Sequence, residues 1–441
     1  MIFSRNLTLN SDYDVIVAGG GPAGCAAATA SARNGARTLL IEASGCLGGM
    51  GTIGLVPAWC PFSDKEKIIY RGIGQEVFES LKAQMPHIGK SDLDWVPIDP
   101  EGLKRIYDDL VIGSGADVLF NSSVCAAEFF EGNLQYIVVS NKAGLSGYSA
   151  KIFVDCTGDA DIAALCGLEF DYGTSTGEVQ PVTHCFQVTN VDEYEFRTHP
   201  EMHHANKDCP VYDIVRSEKY PLVTDGHSCN SLIGPRTVGF NAGHLWNVNA
   251  TDPLSVSKAM IQGRRLAFQF HQGLKEFFPE AFAASFLSAT APAMGIRESR
   301  RIVGEYVLTL KDYIERRTFD DEIGRNSYYI DIHLTEEEKE AVNSGRLNPD
   351  ARYENYSPGE SHGIPYRCLI PKGAHNLLVA GRAISCERIV QGSVRVMPAC
   401  LVTGQAAGTA AAMTANININ VKKINTELLR KKLLEDGVYL K

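Results

Sequence analysis

One stretch constrains this chain more than any other: Asp12-Tyr13-Asp14-Val15-Ile16-Val17-Ala18-Gly19-Gly20-Gly21-Pro22-Ala23-Gly24. Val15 to Ala18 is a short apolar run, as in a strand buried on both faces. Gly19, Gly21 and Gly24 then complete G-x-G-x-x-G. Gly19 permits the tight turn out of the strand, Gly21 leaves a pyrophosphate room against the backbone, and Gly24 lets the next helix pack close. Gly20, Pro22 and Ala23 belong to the same turn, and Pro22 suits a first helical turn, where its missing N–H costs nothing. An Ala-rich helix is predicted from Pro22 to Asn34, ended by Gly35. Thr38-Leu39-Leu40-Ile41 reads as a second apolar strand finishing at Glu42, 18 positions after Gly24. A carboxylate there is placed to bind the ribose hydroxyls of an adenosine. A glycine motif alone is weak. Strand, glycines, helix, strand and acid in this order imply an α/β, Rossmann-like unit for an ADP-containing dinucleotide.

The loop that follows, from Ala43 through Gly48, Gly49, Met50 and Thr52 to Val56, is too rich in glycine to pack as helix or strand. Its backbone can lie against a flat, charged ligand. Here the chain resembles the FAD enzymes of the glutathione reductase and fumarate reductase group. The resemblance implies that Gly48, Gly49 and Met50 border the cofactor. It also excludes a disulfide reductase, because Gly51 and Val56 stand where such enzymes carry their redox cysteines. Cys46 and Cys60 flank the loop without matching. A flavin thioether at Cys46 is one reading, a plain thiol the simpler one.

Two further segments carry dinucleotide-site character. Lys151 to Asp155 is an apolar strand running into Thr157-Gly158-Asp159. The resemblance places that turn beside the dinucleotide, while Asp159 and Asp161 could equally cap the next helix. Val124 to Phe130 and Leu134 to Ser140 read as a hairpin, and in similar FAD enzymes such a unit brings the backbone near Val124 to the adenine. Near the C-terminus, Asn376 to Ala380 is a buried strand ending at Gly381-Arg382. Arg395-Val396-Met397-Pro398 then opens a helix with small residues at Gly404, Ala407, Gly408 and Ala412. These predict close packing against another backbone, and the helix N-terminus offers free N–H groups and partial positive charge. In flavoproteins of this group such a helix end faces the flavin N1–C2=O edge, and Arg395 stands directly before it. Three such segments favour FAD over NAD, which needs only the first.

Residues 181–360 differ in texture, with most of the histidines, polar loops and aromatic strands such as Ser231 to Phe240, and a helix predicted from Leu254 to Phe270. They read as an α+β substrate domain inserted into an FAD-binding domain made of residues 1–180 and 361–441, itself a three-layer, parallel-sheet unit with a β-hairpin insert. Met294-Gly295-Ile296-Arg297-Glu298-Ser299-Arg300-Arg301 resembles a segment of the FAD-dependent oxidoreductase family. Arginines so dense cannot all lie unpaired in a dry core; they bind an anion or pair with acids such as Glu298 and Glu305. The reaction this implies is hydride transfer between a small organic substrate and flavin N5. Candidates for the accompanying proton or anion chemistry are His362, Arg297, Arg300 and Arg388, then His244 and His184. Flavin monooxygenation and non-redox holding of a dinucleotide are the alternatives.

The net charge of −10 argues against a nucleic-acid partner. Twelve cysteines without a C-x-x-C pair read as reduced thiols. With no secretory signal and no long apolar stretch, the expected location is the cytoplasm. No second complete glycine motif follows a strand, so the electron partner is the substrate, oxygen or another protein.

Overall fold

The computed structural model describes residues 6–198, 202–203, 205–344, 346 and 355–441. A five-stranded parallel sheet runs in the order Leu377–Val379, Ile152–Asp155, Val15–Ala18, Thr38–Ile41, Asp117–Leu119. Ala18 pairs with both Ile41 and Asp155, and Asp155 pairs with Val379. The four strands therefore end at one level. The glycine turn, Glu42, Thr157-Gly158 and Gly381 leave the same carboxyl edge, where ligands bind in open α/β sheets.

The helix Pro22–Arg33 covers one face of this sheet and packs on the long helix Met397–Ile417. A Cβ on Gly404 would stand 2.1 Å from Ala23 O, and one on Gly408 2.0 Å from Ala27 O. Only glycine allows that approach. The long helix is apolar all round and buried along nearly its whole length, as suits a helix inside a large core. No single described helix is long and apolar enough to cross a membrane. A four-stranded sheet, in the order Leu9–Asn10, Gly144–Tyr148, Asn133–Asn141, Ser123–Phe130, covers the other face. Leu134, Ile137 and Val139 from it meet Ile16, Leu39 and Phe153. The expected hairpin thus forms part of a larger sheet. Its turn has φ of 46° at Glu131 and 80° at Gly132, positive at both central positions as a two-residue hairpin loop requires.

Between Val182 and Met294 the chain builds a second core. The antiparallel order Ser228–Gly234, Thr237–Ala242, Phe186–Thr189, Phe286–Thr290 is backed by the helix Pro253–Phe277. Phe186 stacks on Phe240 at 5.0 Å and meets Phe270 edge-on at 5.6 Å. From Leu308 onward, buried side chains such as Phe319 and Ile323 return to the first core, well before residue 360.

The strand Asp117–Leu119 is an edge strand, exposed or half-buried, with nothing paired beyond it among the described residues. Two local expectations need correction. The substrate-domain helix runs past Phe270 to Phe277: His271 and Gly273 break the apolar pattern yet are buried, and Ile214 fills the space above Gly273. Neither Asp159 nor Asp161 caps the helix Asp161–Leu165 by its side chain. Asp155 serves that turn instead, accepting from Thr157 N, Thr157 Oγ1 and Ala163 N at 2.7–3.1 Å. Burial pushes its carboxyl up to about 6.

Candidate active site

A cavity of about 950 Å³ opens at the carboxyl edge of the parallel sheet and continues into the second core. Its first half is mostly backbone. Gly19, Gly21, Pro22 and Ala23 line it where the first strand turns into the helix, and Glu42 and Ala43 line it beyond the second strand. Val124 lines it beside Ser122 and Ser123, and Gly49 and Met50 come from the glycine loop. Thr157, Gly158 and Asp159 face it from the next strand end, and Gly381, Arg382, Arg395, Val396 and Met397 from the last.

Four of the expected cofactor residues stand behind this lining and shape it. Gly20 N–H donates to Glu42 Oε2 at 2.6 Å, and Gly48 N–H donates to Gly20 O at 2.8 Å. Gly24 lies so close to the first turn that a Cβ would meet Gly19 O at 1.7 Å. Thr52 Oγ1 donates to Leu47 O at 2.7 Å and closes the glycine loop. Cys46 is not among the residues lining the cavity, and all twelve cysteines are free thiols.

These residues fit an FAD. The space a Gly21 Cβ would take is open, with no atom within 4 Å. Glu42 brings a carboxylate to the wall, with Ser44 N–H on its other oxygen at 2.6 Å. The long helix begins at Met397 without a side-chain cap, so its first N–H groups are left for a ligand. Arg382 is held at 2.6 Å by Asp159, and its buried Nε has no partner.

Side chains from distant segments build the other half. Arg297 is 6% exposed. It donates from Nη1 to Pro181 O and Thr183 Oγ1, each at 2.8 Å, and from Nη2 toward Asn241 Oδ1 at 3.4 Å, with His227 Nε2 at 3.5 Å. None of these is a carboxylate. Burial, then Arg395, brings Arg297 down to about 10, so it stays charged at neutral pH. Asp331 and His333 share this wall with His227. Arg395 Nη2 donates to Asp331 O at 2.9 Å and to its carboxylate at 3.2 Å. Burial alone would raise the Asp331 carboxyl, but His333, Arg395 and Arg297 together hold it well below the usual range. Burial and Arg297 push His333 down to about 3.

The other candidates lie outside this cavity. His362 is fully buried, its Nε2 3.1 Å from Asn326 Nδ2 and its Nδ1 3.0 Å from Gly363 O. Arg300 pairs with Asp161 at 2.9 Å; Arg388 bridges Glu298 and Glu338 at 3.0 and 2.7 Å. These partners spend their charges within the protein, so the structure does not bring His362, Arg300 or Arg388 to the reacting end. His184 is buried with Nε2 on Ala291 O at 2.7 Å. His244 stands just behind the wall, hydrogen-bonded to Asp225 and to His333.

Sequence reasoning missed His227, Asp331 and His333. A signal exists in the cluster Tyr328, Tyr329, Asp331 and His333, closely spaced aromatic and ionisable residues that all line the cavity.

Solved structures are similar to the chain at low identity. A geranylgeranyl bacteriochlorophyll reductase-like protein from Thermoplasma acidophilum matches at 13% identity over 98% of this chain and 85% of its own, with a TM-score of 0.49. The OxyS anhydrotetracycline hydroxylase from Streptomyces rimosus matches at 13% identity, covering 97% and 66%, with a TM-score of 0.47. The p-nitrophenol 4-monooxygenase PnpA from Pseudomonas putida DLL-E4 matches at 13%, covering 97% and 87%, with a TM-score of 0.45. The model of the FAD dependent oxidoreductase family matches residues 14–433, and the chain belongs to that family.

Proposed function

We propose that this FAD-dependent oxidoreductase transfers a hydride between flavin N5 and a small organic substrate that carries an anionic group. Arg297 carries this reading. A buried guanidinium with only neutral partners is costly, and an anion delivered to it supplies the missing charge-assisted hydrogen bonds. It lies on the wall of the cavity that also holds Gly381 and Met397, so an anion anchored there keeps the rest of the substrate within that cavity. Oxidising a C–H beside an O–H or N–H also releases a proton. Asp331, held ionised, and His333, held neutral, stand on the same wall as Arg297. Met50, Val56 and Met397 make the middle of the cavity apolar and keep water away from the reacting carbon.

An anaerobic reduction screen tests the reading. Bleaching of the bound flavin is followed with hydroxy acids, amino acids, sugar acids, unsaturated acids and their uncharged counterparts. Reduction by an anionic compound, or reoxidation of the reduced protein by an unsaturated acid, is the expected result. Oxygen-dependent NAD(P)H consumption with a hydroxylated product would make the protein a monooxygenase. A flavin that no compound reduces, though tightly held, would make it a non-redox dinucleotide holder.

A further inference from the structure

His227, His244 and His333 bring one ring nitrogen each to within 4.8 Å of one another. His244 lies centrally. Its Nδ1 is 2.7 Å from Asp225 Oδ2, and its Nε2 is 2.9 Å from His333 Nδ1. His333 Nε2 is in turn 3.4 Å from Asp331 Oδ1. The His227 ring lies against His244 with centroids 4.0 Å apart.

The chain Asp225–His244–His333–Asp331 contains three close approaches between nitrogen and oxygen or nitrogen and nitrogen. Two neutral imidazoles bring two ring protons. If each carboxylate accepts one, His244 Nε2 and His333 Nδ1 face each other as bare lone pairs. Something positive must lie between them. A shared proton would need only these two nitrogens, yet a ring nitrogen of His227 also lies within 4.8 Å of both. We propose that His227, His244 and His333 hold one divalent transition-metal ion of the zinc, cobalt, nickel or ferrous class.

Three imidazoles suit these borderline ions and not magnesium or calcium, which take oxygen ligands. Asp225 fixes the His244 tautomer by accepting from Nδ1 and leaving Nε2 to ligate, the carboxylate–histidine–metal arrangement. Asp225 and Asp331 together supply two negative charges beside a doubly charged ion. His227 and His333 line the cavity, so the remaining coordination positions face the substrate space, as in catalytic sites with three protein ligands. Arg297 Nη2 is 3.5 Å from His227 Nε2, so an anion on Arg297 would sit beside those positions. The assignment does not depend on which reaction the flavin performs.

The test uses the full-length, FAD-loaded protein, stripped with a chelator, desalted and titrated with cobalt(II) alone. Wild type is expected to retain one cobalt per chain after gel filtration, with visible ligand-field bands that zinc(II) abolishes. His244→Ala and His333→Ala should lose this cobalt while keeping FAD absorbance and elution volume, and His375→Ala, at a distant histidine, should keep it. Asp225→Asn should weaken cobalt binding about 10–100-fold. Sub-stoichiometric cobalt in wild type, or stoichiometric cobalt in both histidine variants, would overturn the assignment and leave a shared proton in the cluster. If a histidine variant fails to fold, Asp225→Asn decides, and an unchanged cobalt affinity there refutes the site.

Discussion

The two halves of the cavity are built from different materials. The half at the sheet edge is mostly backbone: glycine turns, strand ends and a helix N-terminus, with Glu42, Asp159, Arg382 and Arg395 as its charged side chains. The half in the second core is made of side chains, including Arg297, His227, Asp331 and His333, carried by segments far apart in the chain. The first half should fail when atoms are added. The second should fail when atoms are removed.

The largest effect is expected at Gly24. Gly24→Ala puts a methyl group 1.7 Å from a backbone oxygen that cannot move aside, so bound FAD, and much of the soluble protein, should be lost. Gly21→Ala sharpens the point, because its methyl meets no protein atom. The melting temperature of the FAD-free protein should be unchanged, while FAD affinity falls. Equal damage to the FAD-free fold at both positions would break the distinction.

Next in size is His362, which the structure makes a buried structural residue. Burial holds its imidazole down at about 4 against 6.5 for a free ring. As pH falls below 6.5 the unfolded chain takes the proton first, so this stability is full above 6.5 and is lost toward 4. The loss amounts to about 3 kcal/mol, from 1.36 kcal/mol per pKa unit. Asp155, raised to about 6, has the opposite sign over part of that range, so wild type must be compared with His362→Gln. Urea midpoints at several pH values should fall more steeply in wild type; parallel profiles would contradict a buried neutral His362.

Glu42→Ala comes third. It removes charge-assisted hydrogen bonds to the ribose worth about 1.5–3 kcal/mol each, raising the FAD dissociation constant roughly tenfold or more. An unchanged constant on titrating FAD into the FAD-free variant would remove Glu42 from the ribose.

The smallest effect belongs to Arg395. A full charge ~5 Å from the flavin at an effective dielectric of ~20 amounts to about 3 kcal/mol, or on the order of 60 mV for two electrons. Asp331 accepts from Arg395 at 3.2 Å and takes up part of that field. Arg395→Ala should therefore lower the flavin potential by no more than about 60 mV in dye-coupled photoreduction. An unchanged or higher potential would leave the helix end alone in that role.

The same contrast explains what could be read from the residues. The strand–glycine–helix–strand–acid unit is local, and each residue has a stereochemical reason to be where it is. Gly404 and Gly408 could be read as a close-packing stripe for the same reason, though not that Ala23 and Ala27 are what they meet. The side-chain wall of the cavity is not local. Arg297, Arg300 and Arg301 look alike in sequence, and only the fold gives Arg300 an acid partner in Asp161 and Arg301 one in Glu298, while Arg297 has none at ion-pair distance among the described residues and feels Asp331 only through space. His362 reads as a candidate in sequence like the other histidines, and its burial away from the cavity depends on pairing with residues 322–326. His227 and His333 gave no local sign of converging with His244.

The central claim is that the cavity divides into an FAD-holding half and an anion-anchoring half at Arg297. Its most direct test is the difference spectrum of the bound flavin during titration with small carboxylates, in wild type and Arg297→Ala. Wild type is expected to respond saturably. The variant should keep its full FAD content yet need roughly tenfold or more carboxylate, the loss of a charged hydrogen bond worth about 1.5–3 kcal/mol. Equal carboxylate affinity in the two proteins, or loss of FAD from the variant, would contradict the account.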